Sequence, residues 1–282
     1  MKKGPLLLAF LLLTSMALYA QKTESVLWKI SGNGIKKPSY LFGTIHVASI
    51  ALLDSFPQLM RIAQNADFAI FENGGSHIGN IPTPVESNQP PLDSLFTSQE
   101  YAKVDSFFTA SPHGSIRPHN DEADLFSMVQ VAMTIIENKT QHDRFDDLLF
   151  AKMRDLNKPV FQLDVPDDVE KVITSLGYQR LAKFLVYIID KNAPLKNVLP
   201  KNEIDFELYS KTLQNPLKLD EKVNENAENA TVKRNAKWLP KIEQKVKEGS
   251  CFIAVGLGHL QYQSGLIQLL RNKGYAVNPV KL

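Results

Sequence analysis

Cysteine is almost absent. Cys251 stands alone among 282 residues, so no disulfide forms within the chain, and stability must come from a buried core even in an oxidising compartment. Cys251 opens the apolar run Cys251-Phe252-Ile253-Ala254-Val255 with nothing adjacent to depress its pKa. It reads as a buried structural thiol, not a nucleophile. An excess of charge is also lacking: Lys and Arg number 32 against 30 Asp and Glu, a formal net charge of +2. Losing Lys2 and Lys3 with a cleaved leader brings it to zero, and such a balance does not point to nucleic acid. No apolar run reaches the roughly 20 residues of a membrane helix, and no His-Glu-x-x-His helix is present.

What the chain does have begins at its first residue. Met1-Lys2-Lys3, the apolar run Leu6 to Leu13, and the small-residue sites Ser15-Met16-Ala17 or Leu18-Tyr19-Ala20 before polar Gln21 form a secretory signal peptide over residues 1–20. The expected destination is a periplasm or the extracellular space, with no stable transmembrane span after cleavage. No cysteine near the cleavage region supports a lipid anchor. Residues 21–282 are long enough for one α/β domain.

Short, nearly continuous apolar runs at Tyr40–Phe42, Phe68–Phe71, Val160–Leu163, Cys251–Val255 and Tyr275–Val277 alternate with helical stretches. Strands buried on both faces read this way, and the fold class expected is α/β, a mostly parallel central sheet flanked by helices. Two units share one order: strand, Gly-x-x-His, helix, strand. The first runs from Tyr40 through Gly43-Thr44-Ile45-His46 to Phe71, the second from Cys251 through Gly256-Leu257-Gly258-His259 to Val277. The middle is more helical, over Glu122–Glu137, Asp143–Leu156 and Asp167–Lys191. Leu125 to Ile136 is apolar nearly all round yet too short for a bilayer, so it reads as a core helix.

Of six histidines, His77, His113, His119 and His142 lie in polar or turn-rich surroundings and read as surface residues. His46 and His259 instead follow a buried strand and a glycine, at the carboxyl ends of strands, where open parallel sheets bind ligands. A glycine there permits a sharp exit from the strand or close approach of backbone to a ligand. Glu72 follows the strand Phe68–Phe71 directly, so its carboxylate emerges at the same edge, where a buried charge needs a cation or donor. Two readings stay open on spacing alone. In one, His46, Glu72 and His259 are ligands of a transition metal with an open position, zinc, manganese or cobalt. In the other, each histidine bonds a carbonyl beside its turn and Glu72 caps a helix. Arg234 likewise reads either as an oxyanion or carboxylate clamp or as an ion pair on a helix carrying Val232, Ala236, Leu239 and Ile242, with Pro240 expected to kink or restart that helix.

Leu27-Trp28-Lys29-Ile30, Tyr40-Leu41-Phe42-Gly43-Thr44-Ile45-His46, Phe252 to His259, and Gly265-Leu266 through Leu270-Arg271 to Gly274-Tyr275 resemble the TraB/PrgY/GumN family, whose animal relatives are the Tiki proteases. Glu72 matches the acidic residue after the second strand, and Arg234-Asn235 the Arg-Asn pair of a late helix. The resemblance implies a metal-dependent hydrolase, peptidase-like, with His46, Glu72 and His259 at its centre and Arg234 and Asn235 beside them. Two departures stand out. Gln162-Leu163-Asp164-Val165 replaces the usual Leu-Glu-Thr, which shortens a carboxylate at Asp164, and Tyr262 stands where a glycine is usual.

The function expected is therefore an exported metallohydrolase acting on a peptide or other small amide or ester substrate. The alternative is a periplasmic or secreted protein that captures a peptide or saccharide without chemistry. A third possibility is metal-free hydrolysis, with a histidine and Glu72 activating water.

Overall fold

The computed structural model describes residues 25–46, 48–73, 89–137, 141–165, 177–192, 228–260 and 263–282. The expected signal peptide, His77, Tyr262, most of the Pro-rich stretch 81–91 and the first part of the expected helix Asp167–Lys191 lie outside these residues. Six strands are present: β1 (Leu27–Ser31), β2 (Ser39–Thr44), β3 (Phe68–Phe71), β4 (Val160–Gln162), β5 (Cys251–Gly256) and β6 (Ala276–Val280). The helices are α1 (Leu52–Ser55), α2 (Pro57–Asn65), α3 (Leu92–Leu95), α4 (Ser98–Thr109), α5 (Leu125–Glu137), α6 (Phe145–Asp155), α7 (Tyr178–Lys191), α8 (Arg234–Glu248) and α9 (Leu266–Asn272).

The strands form one sheet in the order β4-β3-β5-β2-β1-β6. Neighbours from β4 to β2 are parallel, while β1 pairs antiparallel with both β2 and β6. The class is thus α/β with a mixed, mostly parallel sheet. Every residue of β5 is buried, as a strand covered on both faces requires. The edges differ from that expectation: β4 is largely half-exposed and β6 alternates, with Pro279 opposite Trp28 on an edge where a missing N–H is tolerated. Between β1 and β2, Gly32, Asn33 and Gly34 all have positive φ, which only glycine and a few residues such as asparagine adopt readily.

The two similar units are interlocked, since β2 and β5 lie side by side with Thr44 opposite Gly256. The strands that close the units differ in place. β3 lies against β5, whereas β6 lies beyond β1 at the far edge.

Apolar side chains gather in two clusters. One packs both sides of the sheet, including Phe42, Phe71, Phe252 and Trp238. The other lies among α3, α4, α5 and α7, including Phe108, Leu125, Met128 and Leu185. α5 is buried on most of its circumference as expected, and no helix among the described residues is long and apolar enough to cross a membrane. In α8 the buried stripe is Asn235, Trp238, Leu239, Ile242 and Val246, a helical spacing that leaves Ala236 exposed. Pro240 lies inside α8 without ending it.

α4 starts with a capping box in which Thr97 accepts from the Glu100 N–H and the Glu100 carboxylate accepts from the Thr97 N–H. Thr97→Ala removes the hydroxyl acceptor and is expected to lower stability by about 1 kcal/mol. Chemical denaturation checks this, and an unchanged midpoint would show that the cap is already frayed in the wild type.

Candidate active site at the carboxyl edge of the sheet

All four parallel strands end at one edge, and each delivers a polar side chain there. His46 follows β2 and Glu72 follows β3, Asp164 lies just past β4, and Gly256 closes β5 ahead of a turn of 3-10 helix, Leu257–His259. Backbone bonds fix this edge: the Asp164 N–H donates to the Glu72 carbonyl at 2.8 Å and the Phe145 N–H donates to the His46 carbonyl at 2.9 Å.

The motif glycines serve a purpose that their sequence position does not show. Gly43 and Gly256 are extended strand residues without positive φ, so neither supplies a sharp exit from its strand. Each makes room for the other motif. A Cβ on Gly43 would stand 2.7 Å from Leu257 Cδ1 and 3.2 Å from Leu260 Cδ2, and a Cβ on Gly256 would stand 2.9 Å from Glu72 Oε1 and 3.5 Å from His46 Nε2. Gly258 is different, because a Cβ there meets only ordinary contact with Thr231. Gly43 and Gly256 thus let the two turns pack together, and the floor of the site is the bare backbone of Gly256.

Over that floor the expected residues converge. Glu72 Oε1 accepts from the Gly256 N–H and lies 3.6 Å from His259 Nε2. Each histidine is held through Nδ1 by a different partner. His46 Nδ1 is 2.6 Å from Asp146 Oδ2, and the second oxygen of that carboxylate accepts from the Thr44 hydroxyl. His259 Nδ1 is 2.7 Å from Asn235 Oδ1, while the Asn235 amide donates to the His259 and Ser264 carbonyls. With the hydrogen on Nδ1 in each ring, each Nε2 turns a lone pair toward the site, where that of His259 accepts from Arg234 Nη1.

Arg234 enters from the first turn of α8. Its Nε and Nη2 fork onto Asp164 at 3.1 and 2.5 Å, Nη2 also donates to Glu72 Oε2 at 2.9 Å, and Nη1 lies 3.1 Å from His259 Nε2. Of the two readings of Arg234, the structure displays the ion pair. Trp238, one turn further along α8, is fully buried. It donates to Asp164 Oδ1 at 2.8 Å, and its ring centroid lies 4.2 Å from that of His259 and 4.6 Å from the Arg234 guanidinium carbon. One indole therefore seats an acid, a base and a cation.

The electrostatics separates the two histidines. Burial and the neighbouring Arg234 push His259 down to about 3, against the pull of Glu72, so it is neutral at physiological pH. For His46, whose side chain is one-third exposed, burial is outweighed by the charge and hydrogen bond of Asp146, and its pKa is raised. Burial alone would raise Glu72, but the positive charge around it and the Gly256 N–H hold it well below the usual carboxylate range. Arg234, which donates to Oε2 at 2.9 Å, contributes a permanent positive charge to that environment. Burial pushes Asp164 up in spite of its bonds to Arg234 and Trp238.

The donor types suit a divalent transition ion. Ligands about 2.1 Å from a tetrahedral metal stand about 3.4 Å apart, close to the separation of His259 Nε2 and Glu72 Oε1. Among the described residues, however, no three or more His, Cys, Asp or Glu side chains are gathered into a metal cluster, and Arg234 Nη1 is directed at one of the nitrogens concerned.

Sequence reasoning placed His46, Glu72 and His259 at this edge and named Arg234, Asn235 and Asp164 as candidates beside them, and the structure brings all six together; Tyr262 lies outside the described residues. It missed Thr44, Asp146 and Trp238. A signal existed for Trp238, four residues after Arg234 and so on the same face of α8, and for Asp146 as an acid in the first turn of a helix. His113 is not a surface residue: its side chain has no exposed area, and Nε2 lies 3.1 Å from the His142 carbonyl. His142 is half-buried, while His119 is partly exposed beside Glu122. Cys251 is buried, and burial pushes its thiol up to about 12, which suits a structural residue.

Among the described residues, an α/β fold thus gathers two histidines, two carboxylates and an arginine at the carboxyl edge of its parallel strands, with each histidine closing a Gly-x-x-His segment. The model described as the TraB/PrgY/gumN family matches residues 26–279, and the chain belongs to that family. No curated protein and no solved structure matches the chain.

Proposed function

We propose that this family member is an exported hydrolase that cleaves an amide or ester bond, with peptides as the favoured substrate class. The observation that carries the reading is that Glu72 Oε1 and His46 Nε2 both border the space above Gly256, 2.9 and 3.5 Å from where a Cβ would stand, with His259 Nε2 3.6 Å from Glu72 Oε1 and each imidazole held by its own Nδ1 partner. Fixed tautomers and a bare glycine floor prepare a site for a reacting group. Export is supported by the basic, apolar and small-residue order of residues 1–20.

His46 is the proton-handling group in this reading. Its Nε2 borders the space above Gly256 that Glu72 also borders, and Asp146 behind it stabilises the imidazolium that forms when a water gives up its proton. His259, neutral and braced by Asn235 and Trp238, offers an acceptor, and Glu72 supplies negative charge held in place by Arg234 and Gly256. A zinc, manganese or cobalt ion held by His46, Glu72 and His259 would supply Lewis acidity, polarising a carbonyl and acidifying water. The 2.6 Å bond between His46 and Asp146 also favours a second reading, in which the same dyad activates water without a metal.

Peptide libraries and simple esters incubated with the purified protein, with zinc, manganese or cobalt and after exhaustive chelation, test this by mass spectrometry. Turnover is expected, and His46→Ala is expected to lower kcat/KM by about 100- to 10,000-fold. Metal affinity measured by calorimetry is expected to fall in both His46→Ala and His259→Ala. Activity that survives chelation selects the metal-free dyad. Ligands recovered intact under every condition sink the hydrolase reading and leave a capture protein.

A further inference from the structure

The two Gly-x-x-His segments differ at their second position, which is Thr44 in one and Leu257 in the other. The partners of the two histidines account for the difference. Asn235, which holds His259, orients itself. Its amide nitrogen donates to the His259 carbonyl at 3.1 Å and to the Ser264 carbonyl at 2.9 Å, which leaves Oδ1 as the atom that meets His259 Nδ1 at 2.7 Å. Asp146, which holds His46, has two like oxygens and turns about its Cβ–Cγ bond over a broad range of angles. A donor outside the carboxylate must decide which oxygen faces the ring.

Thr44 is that donor. Side chains alternate along β2, so Phe42 and Thr44 share one face, and the first turn of α6 lies against it. Phe145 packs on Phe42 with ring centroids 6.2 Å apart, and Asp146 meets Thr44. The Phe145 N–H, donating to the His46 carbonyl at 2.9 Å, locks the two segments in this register. Thr44 and Asp146 are both buried. The Thr44 hydroxyl donates to Oδ1, and Oδ2 is left against His46 Nδ1 at 2.6 Å.

We propose, resting on the hydrolase reading above, that Thr44 is a positioning residue of the site: by donating to Asp146 Oδ1 it aims Oδ2 at His46, keeps the hydrogen of that ring on Nδ1, and leaves the Nε2 lone pair to the space above Gly256. Without the hydroxyl, Oδ1 is a buried acceptor that has lost this donor, and the carboxylate turns to recover a partner. The orientation and the tautomer of the ring then loosen together, and fewer molecules hold Nε2 ready to take a proton. Thr44 acts only through Asp146 and His46, so the loss belongs in kcat and not in KM. Leu257 has no such duty, because Asn235 is oriented by its own amide nitrogen.

The test compares the wild type with Thr44→Val, which keeps the branched shape and removes the hydroxyl, and with Thr44→Ser, which keeps the hydroxyl. Nitrogen-15 NMR of the His46 ring, recorded at a pH where the ring is neutral, tells an Nδ1–H from an Nε2–H tautomer. The wild type and Thr44→Ser are expected to be Nδ1–H, and Thr44→Val a mixture of the two. On peptides or esters that the wild type cleaves, Thr44→Val is expected to lower kcat about 10- to 100-fold with KM little changed, and Thr44→Ser to recover most of that loss. An Nδ1–H ring retained in Thr44→Val, or an unchanged kcat, overturns the positioning role and leaves the hydrolase reading standing. A loss of kcat that serine does not recover assigns the effect to packing of the methyl group and also overturns it. Absence of turnover by all three proteins removes the hydrolase reading, and the catalytic role of Thr44 falls with it. Should Thr44→Val fail to fold, as judged by circular dichroism, the wild type decides. An Nδ1–H ring together with a slowly exchanging Thr44 hydroxyl hydrogen upholds the proposal, and an Nε2–H ring or a freely exchanging hydroxyl overturns it.

Discussion

Arg144→Met is expected to destabilise the protein by about 3–5 kcal/mol, the cost of leaving a buried carboxylate without its cation. Arg144 and Asp147 side chains are 6% and 2% exposed, and they are joined by a fork with Nε to Oδ2 at 2.7 Å and Nη2 to Oδ1 at 2.9 Å. Solvent screening that makes most ion pairs weak is therefore minimal here. The third nitrogen, Nη1, donates to Gln130 of α5, so one guanidinium joins a helix of the second apolar cluster to the start of α6. Asp146, the partner of His46, is the neighbour of Asp147 in that first turn. Loss of Arg144 should thus disturb the site as well as the fold. Urea denaturation measures the first effect, and the double variant Arg144→Met with Asp147→Leu should recover much of the loss, because an apolar pair of similar volume replaces both charges. A single-variant loss below about 1 kcal/mol would mean that water reaches the pair and that the fork does not hold α6.

The strands were legible because burial on both faces imposes a composition. Phe68–Phe71 is read to the residue, and Cys251–Val255 to within one residue of its end. β1 was harder. Leu27-Trp28-Lys29-Ile30 alternates, Lys29 is exposed, and its antiparallel pairing with β6 joins residues some 250 positions apart in the chain, which no local pattern encodes. The site divides in the same way. His46, Glu72 and His259 could be found because each follows a strand that a short apolar run announces. Asp146 and Trp238 sit on helices, where only tertiary packing selects which acid or indole turns to the site. Asn235 shows how a helical stripe can carry information: it is a polar residue at a position of α8 that the spacing of Trp238, Leu239, Ile242 and Val246 marks as buried. A buried amide needs partners, and its partner is His259. What remained hidden was the role of the glycines, since the space that Gly43 and Gly256 leave is filled by side chains from the opposite end of the chain.

Gly256→Ala isolates that role. At φ −54° and ψ 140° the backbone at position 256 accepts alanine without strain, so a cost must come from the added methyl group. That methyl would stand 2.9 Å from Glu72 Oε1, closer than a carbon and an oxygen pack, and 3.5 and 3.6 Å from two atoms of the His46 ring. Glu72 has little freedom to yield. Its other oxygen is bonded to Arg234, whose guanidinium is itself forked onto Asp164, so moving the carboxylate breaks its bond to the Gly256 N–H or strains the ion pair. The expected result is a folded protein, destabilised by about 1–3 kcal/mol as overpacked interiors are, in which the methyl group fills the space that Glu72 and His46 border. If the hydrolase reading holds, kcat/KM should fall by about 100-fold or more, since displacements near 1 Å at a reacting centre have effects of that size. Thermal denaturation and turnover assays separate the two effects. Retention of full activity with alanine at 256 would show that catalysis does not take place over this glycine, and would move the search for the reacting centre away from the paired Gly-x-x-His turns.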